Sequence, residues 1–142
     1  MAMLKNNRFD AEFPSSIEYL EKVEYITSSI GNEVGLSNSE TDDLAIAVTE
    51  LFNNAIHHGN KDDENKKVAI SFQFQNKQLK VAVTDQGEGF HPDKIDDPLS
   101  PENLYSERGR GIYLVKMMMD EIKFNITKNG SQIIIIKYLN GS

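Results

Sequence analysis

One stretch of the sequence places a carboxylate and an amide four residues apart, at Glu50 and Asn54. On an α-helix, residues with this spacing share a face and their Cβ atoms lie about 5–6 Å apart. A ligand held by one side chain would therefore be within reach of the other. The carboxylate could accept a proton and the amide oxygen could bind a hard cation, whereas the plain alternative is a solvent-exposed helix face.

Two glycine-rich motifs follow further along the chain. Asp85-Gln-Gly87-Glu-Gly89 comes at the end of a predicted strand, and Gly109-Arg-Gly111 opens a predicted helix. Taken singly, each motif has a structural explanation, either a turn that needs positive φ or close packing at a junction. Neither motif alone therefore identifies a ligand site.

The motifs together would supply what a bound nucleoside triphosphate needs. Asp85 could accept a hydrogen bond from an exocyclic amine, which would select adenine by its donor. Gly87 and Gly89 would let the backbone approach the base and the sugar without an intervening Cβ. Gly109 and Gly111 would leave backbone amides at the start of a helix, where the positive end of the dipole favours phosphate.

The helix pair would then act on the phosphates. Asn54 would offer its carbonyl oxygen to Mg²⁺, which usually shares its oxygen ligands with substrate phosphates. Glu50, one turn earlier, would orient or deprotonate the group that attacks the γ-phosphate. Arg108 and Arg110 flank the second glycine motif and could contact β- or γ-phosphate oxygens, or could be solvated arginines at a loop hinge.

Hydrophobic spacing predicts the helices that position these residues. Ser15 with Glu18 forms a capping-box pattern before a first helix that ends near Ile30. The helix that carries the Glu–Asn pair begins at Ser37 or Ser39, and Gly59 is the expected stop. Its apolar residues recur at three- and four-residue spacing: Leu44, Ala47, Val48, Leu51 and Ala55. A third helix after Gly109 is predicted to turn these residues inward: Ile112, Leu114, Val115, Met118 and Met119.

Alternating apolar residues predict two strands, at residues 68–74 and 79–83, and three further strands are expected at residues 8–13, 122–127 and 132–139. The last two flank an Asn-Gly turn, the strongest short hairpin signal. Residues 90–108 lack periodicity and contain three prolines, which indicates a lid over the site. The element order predicts an α/β fold of the α+β kind, a two-layer sandwich with helices on one face of a mostly antiparallel sheet.

Length and composition narrow the function classes. The 142 residues predict one domain, residues 1–142. A net charge of −7 argues against binding to nucleic-acid backbones, which needs clustered Lys and Arg. The sequence contains no cysteine, signal-peptide pattern or membrane-length apolar run, so we expect a cytoplasmic protein.

The chain resembles a known family at these motifs. Glu50-x-x-x-Asn54-Ala, Asp85-x-Gly87-x-Gly89 and Gly109-x-Gly111-x-x-Leu, in this order, are similar to the N, G1 and G2 boxes of the GHKL ATP-binding proteins, which include gyrase, histidine kinases and MutL-type ATPases. Within that superfamily the short form with Thr-Glu-Leu-Phe-Asn-Asn-Ala-Ile-His-His-Gly is most similar to bacterial anti-sigma factors of the serine-kinase type.

The resemblance implies a Bergerat fold that binds ATP and Mg²⁺ and phosphorylates a serine or threonine of a STAS-domain antagonist. It implies an adenine contact at Asp85, a metal ligand at Asn54, a base at Glu50 and phosphate contacts at Gly109 and Gly111. A sigma factor would be the second partner, and the first helix could serve either a homodimer interface or the core. Two alternatives remain: a sequestering module that binds ATP without transferring phosphate, and the catalytic part of a split histidine kinase.

Overall fold

The computed structural model describes residues 2–87, 107–127 and 129–139. Within them the elements follow in the order β1 (Arg8–Pro14), α1 (Leu20–Val34), α2 (Asn38–Asn54), β2 (Lys67–Gln75), β3 (Gln78–Thr84), α3 (Glu107–Met118), β4 (Glu121–Thr127) and β5 (Gly130–Tyr138). A 3₁₀ turn, Ile17–Tyr19, precedes α1, and a π-helical turn, Ala55–Gly59, extends α2. The predicted lid lies almost wholly outside the described residues.

The strands form one antiparallel sheet in the order β1-β2-β3-β5-β4. Strands β2 and β3 are joined by a tight turn in which Asn76 and Lys77 both have positive φ, as a two-residue hairpin turn requires. Pairing of β5 with β3 sets Thr84 opposite Gln132, so the end of β3 lies beside the start of β5. The predicted fold class is confirmed, and all four described strand pairs are antiparallel.

The core lies between the helices and one face of the sheet. Alternating residues of the central strands face it: Val68, Ile70, Phe72, Leu79, Val81, Val83, Ile133 and Ile135. Phe52 of α2 meets Phe13 of β1 edge to face, with ring centroids 5.9 Å apart. A small apolar cluster of Ala82, Ile134 and Ile136 lies on the opposite face of the sheet.

Helix α2 packs between α1 and α3 and is fixed at its start by a capping box. Ser37 Oγ accepts a hydrogen bond from Glu40 N at 3.1 Å, and Glu40 Oε1 accepts one from Ser37 N at 3.0 Å. This exchange holds the pKa of Glu40 below its ordinary value. The predicted apolar stripe is buried throughout, so α2 is anchored along its length with Glu50 on its last turn but one.

The first helix differs from its prediction at both ends. Ser16 caps the preceding 3₁₀ turn, with its hydroxyl accepting from Glu18 N, whereas α1 itself begins after Tyr19 without a side-chain cap and continues to Val34. Ser15 is buried instead, and its hydroxyl donates to Lys66 O at 2.8 Å, which ties the end of β1 to the start of β2. Ile17, before the helix, is 59% exposed.

Helix α3 contains the second glycine motif rather than following it. Gly109 and Gly111 are the third and fifth residues of the described helix. Ile112, Val115 and Met119 are buried as predicted. The inward placement of Leu114 was wrong, because its side chain is 46% exposed.

No helix in the described part of the chain combines the length and the apolar character needed to cross a bilayer.

Candidate functional site

The structure brings the glycine motifs to the C-terminal half of α2 and its π-helical extension. A Cβ built on Gly111 would lie 2.1 Å from Glu50 Oε1, so the second motif touches the predicted base. A Cβ built on Gly59 would lie 2.1 Å from Asp85 Oδ2, so the first motif touches the turn after Asn54. The end of α2 is therefore the element around which the predicted site residues meet.

Asp85 is held by hydrogen bonds from both sides. Its Oδ1 accepts from Gly87 N at 3.0 Å and from Ser131 N at 3.1 Å, and its Oδ2 accepts from Ser131 Oγ at 2.6 Å. The residue is only 7% exposed. A carboxylate offers about four lone-pair sites, so these three bonds leave room for one further donor, at Oδ2.

The backbone around Asp85 leaves no room for larger residues. Gly59 does not have the positive φ of the predicted helix stop; it is required because the Asp85 carboxylate lies where its Cβ would be. A Cβ on Gly87 would lie 2.1 Å from Gly59 O, so the two glycines interlock. The predicted partner Gly89 lies outside the described residues.

Ser131 is a site residue that sequence reasoning missed. Its hydroxyl and its amide donate hydrogen bonds to the Asp85 carboxylate, and its carbonyl accepts one from Asp85 N at 2.9 Å. The available signal was the predicted hairpin turn at Asn129-Gly130, because pairing of β5 with β3 puts the residue after that turn beside the end of β3. That pairing is between distant segments, and spacing alone does not reveal it.

Asn54 is the last residue of α2 and lies one turn from Glu50. Its side chain is 9% exposed, and its Oδ1 is buried without a hydrogen-bond partner. Leaving a buried acceptor unpaired costs about 1–3 kcal/mol. Only Thr41 Oγ1 shares this condition among the side chains of the described residues. A buried carbonyl oxygen without a donor fits a hard cation such as Mg²⁺, which takes oxygen ligands.

Glu50 is half-buried, and its position depends on Gly111. Besides Oε1, the Glu50 Cδ would lie 3.0 Å from a Cβ at Gly111. A methyl group there would displace the carboxylate or push α3 away from α2. Gly111 thus has a steric role that the phosphate prediction did not contain.

The remaining predicted phosphate contacts lie on α3. Gly109 is buried at its start, and Arg110 is exposed on its surface. Arg108 belongs to the helix, but its side chain lies outside what the structure describes. In a helix, the first backbone N–H groups point along the axis toward the N-terminus, where an anion is favoured.

A buried amide just beyond the π-helical turn was also missed. Asn60 is 0% exposed and donates from Nδ2 to Ser15 Oγ at 2.7 Å and to Lys67 O at 3.0 Å. Its Oδ1 accepts from Gln86 N at 2.8 Å. The nearest sequence signal was its position directly after Gly59, the predicted helix stop.

Comparison with known proteins gives consistent matches over almost the whole chain. The family model of the histidine kinase-like ATPase domain matches residues 13–137. The serine-protein kinase RsbW of Bacillus subtilis is 33% identical over 146 aligned residues, which cover 97% of this chain and 91% of that protein. The protein of the same name from Bacillus licheniformis strain ATCC 14580 is 35% identical over 134 residues, covering 89% of this chain and 83% of that protein.

Solved structures agree on the fold. The crystal structure of the RsbU and RsbW domains of a Mycobacterium tuberculosis protein has a TM-score of 0.69 at 15% identity, covering 93% of this chain and 32% of that one. The histidine kinase domain of a blue-light activated kinase from Erythrobacter litoralis has a TM-score of 0.61 at 19% identity, covering 89% and 61%. At such identities the likeness shows the fold alone.

Proposed function

Because the chain belongs to the histidine kinase-like ATPase domain family, we propose that it is an ATP-dependent anti-sigma factor and serine/threonine-protein kinase acting on a STAS-domain antagonist. The family predicted from the sequence is confirmed, and so is the class of enzyme, since relatives at 33% and 35% identity are serine-protein kinases. The antagonist as substrate and a sigma factor as second partner are the finer part of the proposal.

The proposal depends on one observation: Glu50 lies on the same helix as Asn54, whose buried Oδ1 has no hydrogen-bond partner. A half-buried carboxylate and a buried acceptor without a donor lie one helical turn apart, and the carboxylate lies against Gly111 of α3. A structural helix face would have its buried acceptor paired. The arrangement instead suits a site that is completed by a ligand with a cation.

At the other end of the site, Asp85 would receive the base. Its Oδ2, with one lone-pair site left, would accept a hydrogen bond from the exocyclic amine of adenine. Guanine and hypoxanthine carry a carbonyl at the corresponding position, which would face a carboxylate acceptor without a proton between them. The buried carboxylate would therefore favour ATP over other purine triphosphates.

Phosphoryl transfer would use Glu50 as the proton acceptor. The hydroxyl oxygen of the substrate serine or threonine forms a bond to the γ-phosphorus, and the bond from that phosphorus to the β,γ-bridging oxygen breaks. The hydroxyl proton passes to the Glu50 carboxylate, and ADP leaves with the electrons of the broken bond. Gly111 keeps the carboxylate in place against α3, and such positioning contributes much of the catalysis in phosphoryl transfer.

Mg²⁺ fits the same site through Asn54, whose buried Oδ1 is an oxygen ligand without another partner. When bound, the ion would neutralise charge on the phosphates during transfer. Arg110, exposed on α3, is a proposed contact of the terminal phosphates, and Arg108, Gly109 and Gly89 stay predictions.

The test is incubation of the protein with Mg-ATP labelled at the γ-phosphate and with purified STAS-domain proteins, followed by mass spectrometry. We expect label on one serine or threonine of one STAS-domain protein. Glu50→Gln should lower the transfer rate on the order of 10²–10⁴-fold, because the variant cannot take the proton, while ATP binding is retained. Asp42→Asn, an exposed change on the same helix, is the matched control and should transfer phosphate like the wild type.

Other results would count against the proposal. ATP binding with no labelled STAS-domain protein would indicate the sequestering module instead. A label on histidine of a partner chain would indicate a split histidine kinase. Wild-type transfer by Glu50→Gln would remove Glu50 from the mechanism.

A further inference from the structure

The buried amide of Asn60 connects three segments that are distant in the sequence. It follows the π-helical turn of α2, and its own N–H donates to Ala55 O at 2.8 Å, which closes that turn. Its side chain reaches Ser15 after β1, Lys67 at the start of β2 and Gln86 after β3. No part of the residue is exposed to solvent.

The contact with Gln86 matters because of where Gln86 lies. It is the residue between Asp85 and Gly87, whose amide caps Asp85 Oδ1. Asn60 Oδ1 holds the Gln86 N–H at 2.8 Å, and Lys67 N donates to Gln86 Oε1 at 2.7 Å. The middle of the turn is thereby fixed on the side away from Ser131, and the direction of the Asp85 carboxylate is fixed with it.

The chemistry of the site requires an amide at this position. One face of the side chain meets two acceptors, Ser15 Oγ and Lys67 O, and the other meets the Gln86 N–H donor. Aspartate would oppose two acceptors with a buried charge, and alanine would leave the Gln86 N–H without a partner. Asparagine supplies the donors and the acceptor together.

We propose that Asn60 is a positioning residue for base selection: it sets the Asp85 turn so that the carboxylate accepts from the exocyclic amine of adenine, without touching the nucleotide itself. This inference rests on the proposed function only in that ATP binds at Asp85. It does not depend on phosphoryl transfer. It places a determinant of nucleotide selectivity outside the Glu50–Asn54 pair and outside the two glycine-rich motifs.

The experiment measures the affinities of ATP and inosine triphosphate by displacement of a fluorescent adenine nucleotide. Inosine triphosphate carries a carbonyl in place of the exocyclic amine, so it reports binding without that hydrogen bond. For Asn60→Ala we expect ATP affinity to fall about tenfold, the loss of about one hydrogen bond, and inosine triphosphate affinity to change by less than about twofold. The ratio of the ATP affinity to the inosine triphosphate affinity would therefore fall.

Ser15→Ala is the matched control. It removes another partner of the Asn60 amide but leaves the bond to Gln86 N in place, so the preference for ATP should be kept even if the melting temperature falls. Equal losses of both affinities in Asn60→Ala, or no loss, would overturn the inference. The inference would also be overturned if the preference for ATP over inosine triphosphate fell in Ser15→Ala but not in Asn60→Ala.

Hydrogen exchange of the wild-type protein is a second measurement. It tests the contact between Asn60 and the Gln86 amide even if Asn60→Ala does not fold. The Gln86 amide should be protected like an amide of the sheet, although Gln86 itself is exposed. Exchange at the rate of an open turn would contradict the contact. A wild-type protein that binds no ATP would overturn the proposed function, whereas ATP binding with unchanged selectivity in Asn60→Ala would overturn only the role of Asn60.

Discussion

The two ends of the candidate site differ in how their polar groups are satisfied. At the base end, Asp85 and Asn60 have protein partners for almost every hydrogen-bonding atom, from residues on four separate segments. At the phosphate end, Asn54 Oδ1 is buried without a partner, and Glu50 rests on the backbone of Gly111. Both ends lie against the same helix and its π-helical extension.

This difference indicates a division of roles. The base end is preorganised, since its carboxylate points in a fixed direction before any nucleotide arrives, and preorganisation lowers the entropy that binding must overcome. The phosphate end carries an unfavourable buried acceptor that a cation would relieve. Substitutions at the base end should therefore change the affinity for ATP, and substitutions at the phosphate end should change the transfer rate or the metal requirement.

After the loss of Glu50 itself, the largest expected effect is that of Gly111→Ala. The added Cβ would meet Glu50 Oε1 at 2.1 Å, so the carboxylate must move or α3 must shift. We expect transfer to fall by about 10²-fold, as a displacement of about 1 Å can cause, with ATP affinity changed far less. Single-turnover kinetics and equilibrium binding separate the two quantities. If ATP affinity falls as much as the rate, the two ends are not independent.

Asp85→Asn should act on affinity alone. The amide oxygen can keep the bonds from the two backbone amides, which places the NH₂ group where Oδ2 would accept from adenine. A hydrogen bond to a charged group is worth about 1.5–3 kcal/mol, so ATP affinity should fall about 10- to 100-fold. Asp10→Asn, at an exposed residue of the edge strand β1, is the control. Calorimetry that finds wild-type affinity in Asp85→Asn would place the adenine elsewhere.

Two buried asparagines six residues apart give a direct comparison of the ends. Without nucleotide, Asn60→Ala should lower the free energy of unfolding by about 1–3 kcal/mol, because it strips partners from three buried groups. Asn54→Ala should lower it by less, because its Oδ1 has no bond to lose. Urea denaturation of both variants measures this. Equal losses would show that Asn54 Oδ1 is satisfied in the free protein.

The smallest expected effect concerns the far end of α2, which anchors both halves of the site. The bond from the Ser37 backbone holds the pKa of Glu40 below its ordinary value, so the ionised carboxylate stabilises the fold above the unfolded-state pKa. That contribution should be lost as the pH falls below about 4.3. Glu40→Gln keeps the capping geometry without the charge. Its stability deficit, about 0.3 kcal/mol at neutral pH, should vanish in acid; a deficit independent of pH would contradict this.

Local signals predicted most of the fold. The capping box at Ser37 and Glu40, the alternation in β2 and β3, and the Asn-Gly turn each depend on residues close in sequence, and all were found. The end of α1 was placed too early because Gly31 was interpreted as the start of a linker, although Val34, four residues after Ile30, continues the apolar spacing and packs against the core. Leu114 was assigned inward because an apolar type alone does not specify which helix face is covered.

The site itself was only partly predictable. Glu50, Asn54, Asp85 and Gly111 could be proposed from motif spacing, and the structure places them around one helix end. Ser131 and Asn60 could not be, because their roles depend on the pairing of β5 with β3 and on a helical turn of unusual width. Pairings between distant segments follow from packing of the whole domain, which no short window of sequence contains.

The π-helical turn has a geometric consequence for how the chain is compared with its relatives. In a regular α-helix, residues six apart lie about 240° apart around the axis, so residues 54 and 60 would point to different sides. The wider turn Ala55–Gly59 changes that rotation, and the side chains at both positions are buried. In a relative with a regular helix at this point, a different residue would face the base-binding turn. Residues that are matched in a sequence alignment there can therefore occupy different positions in the two structures.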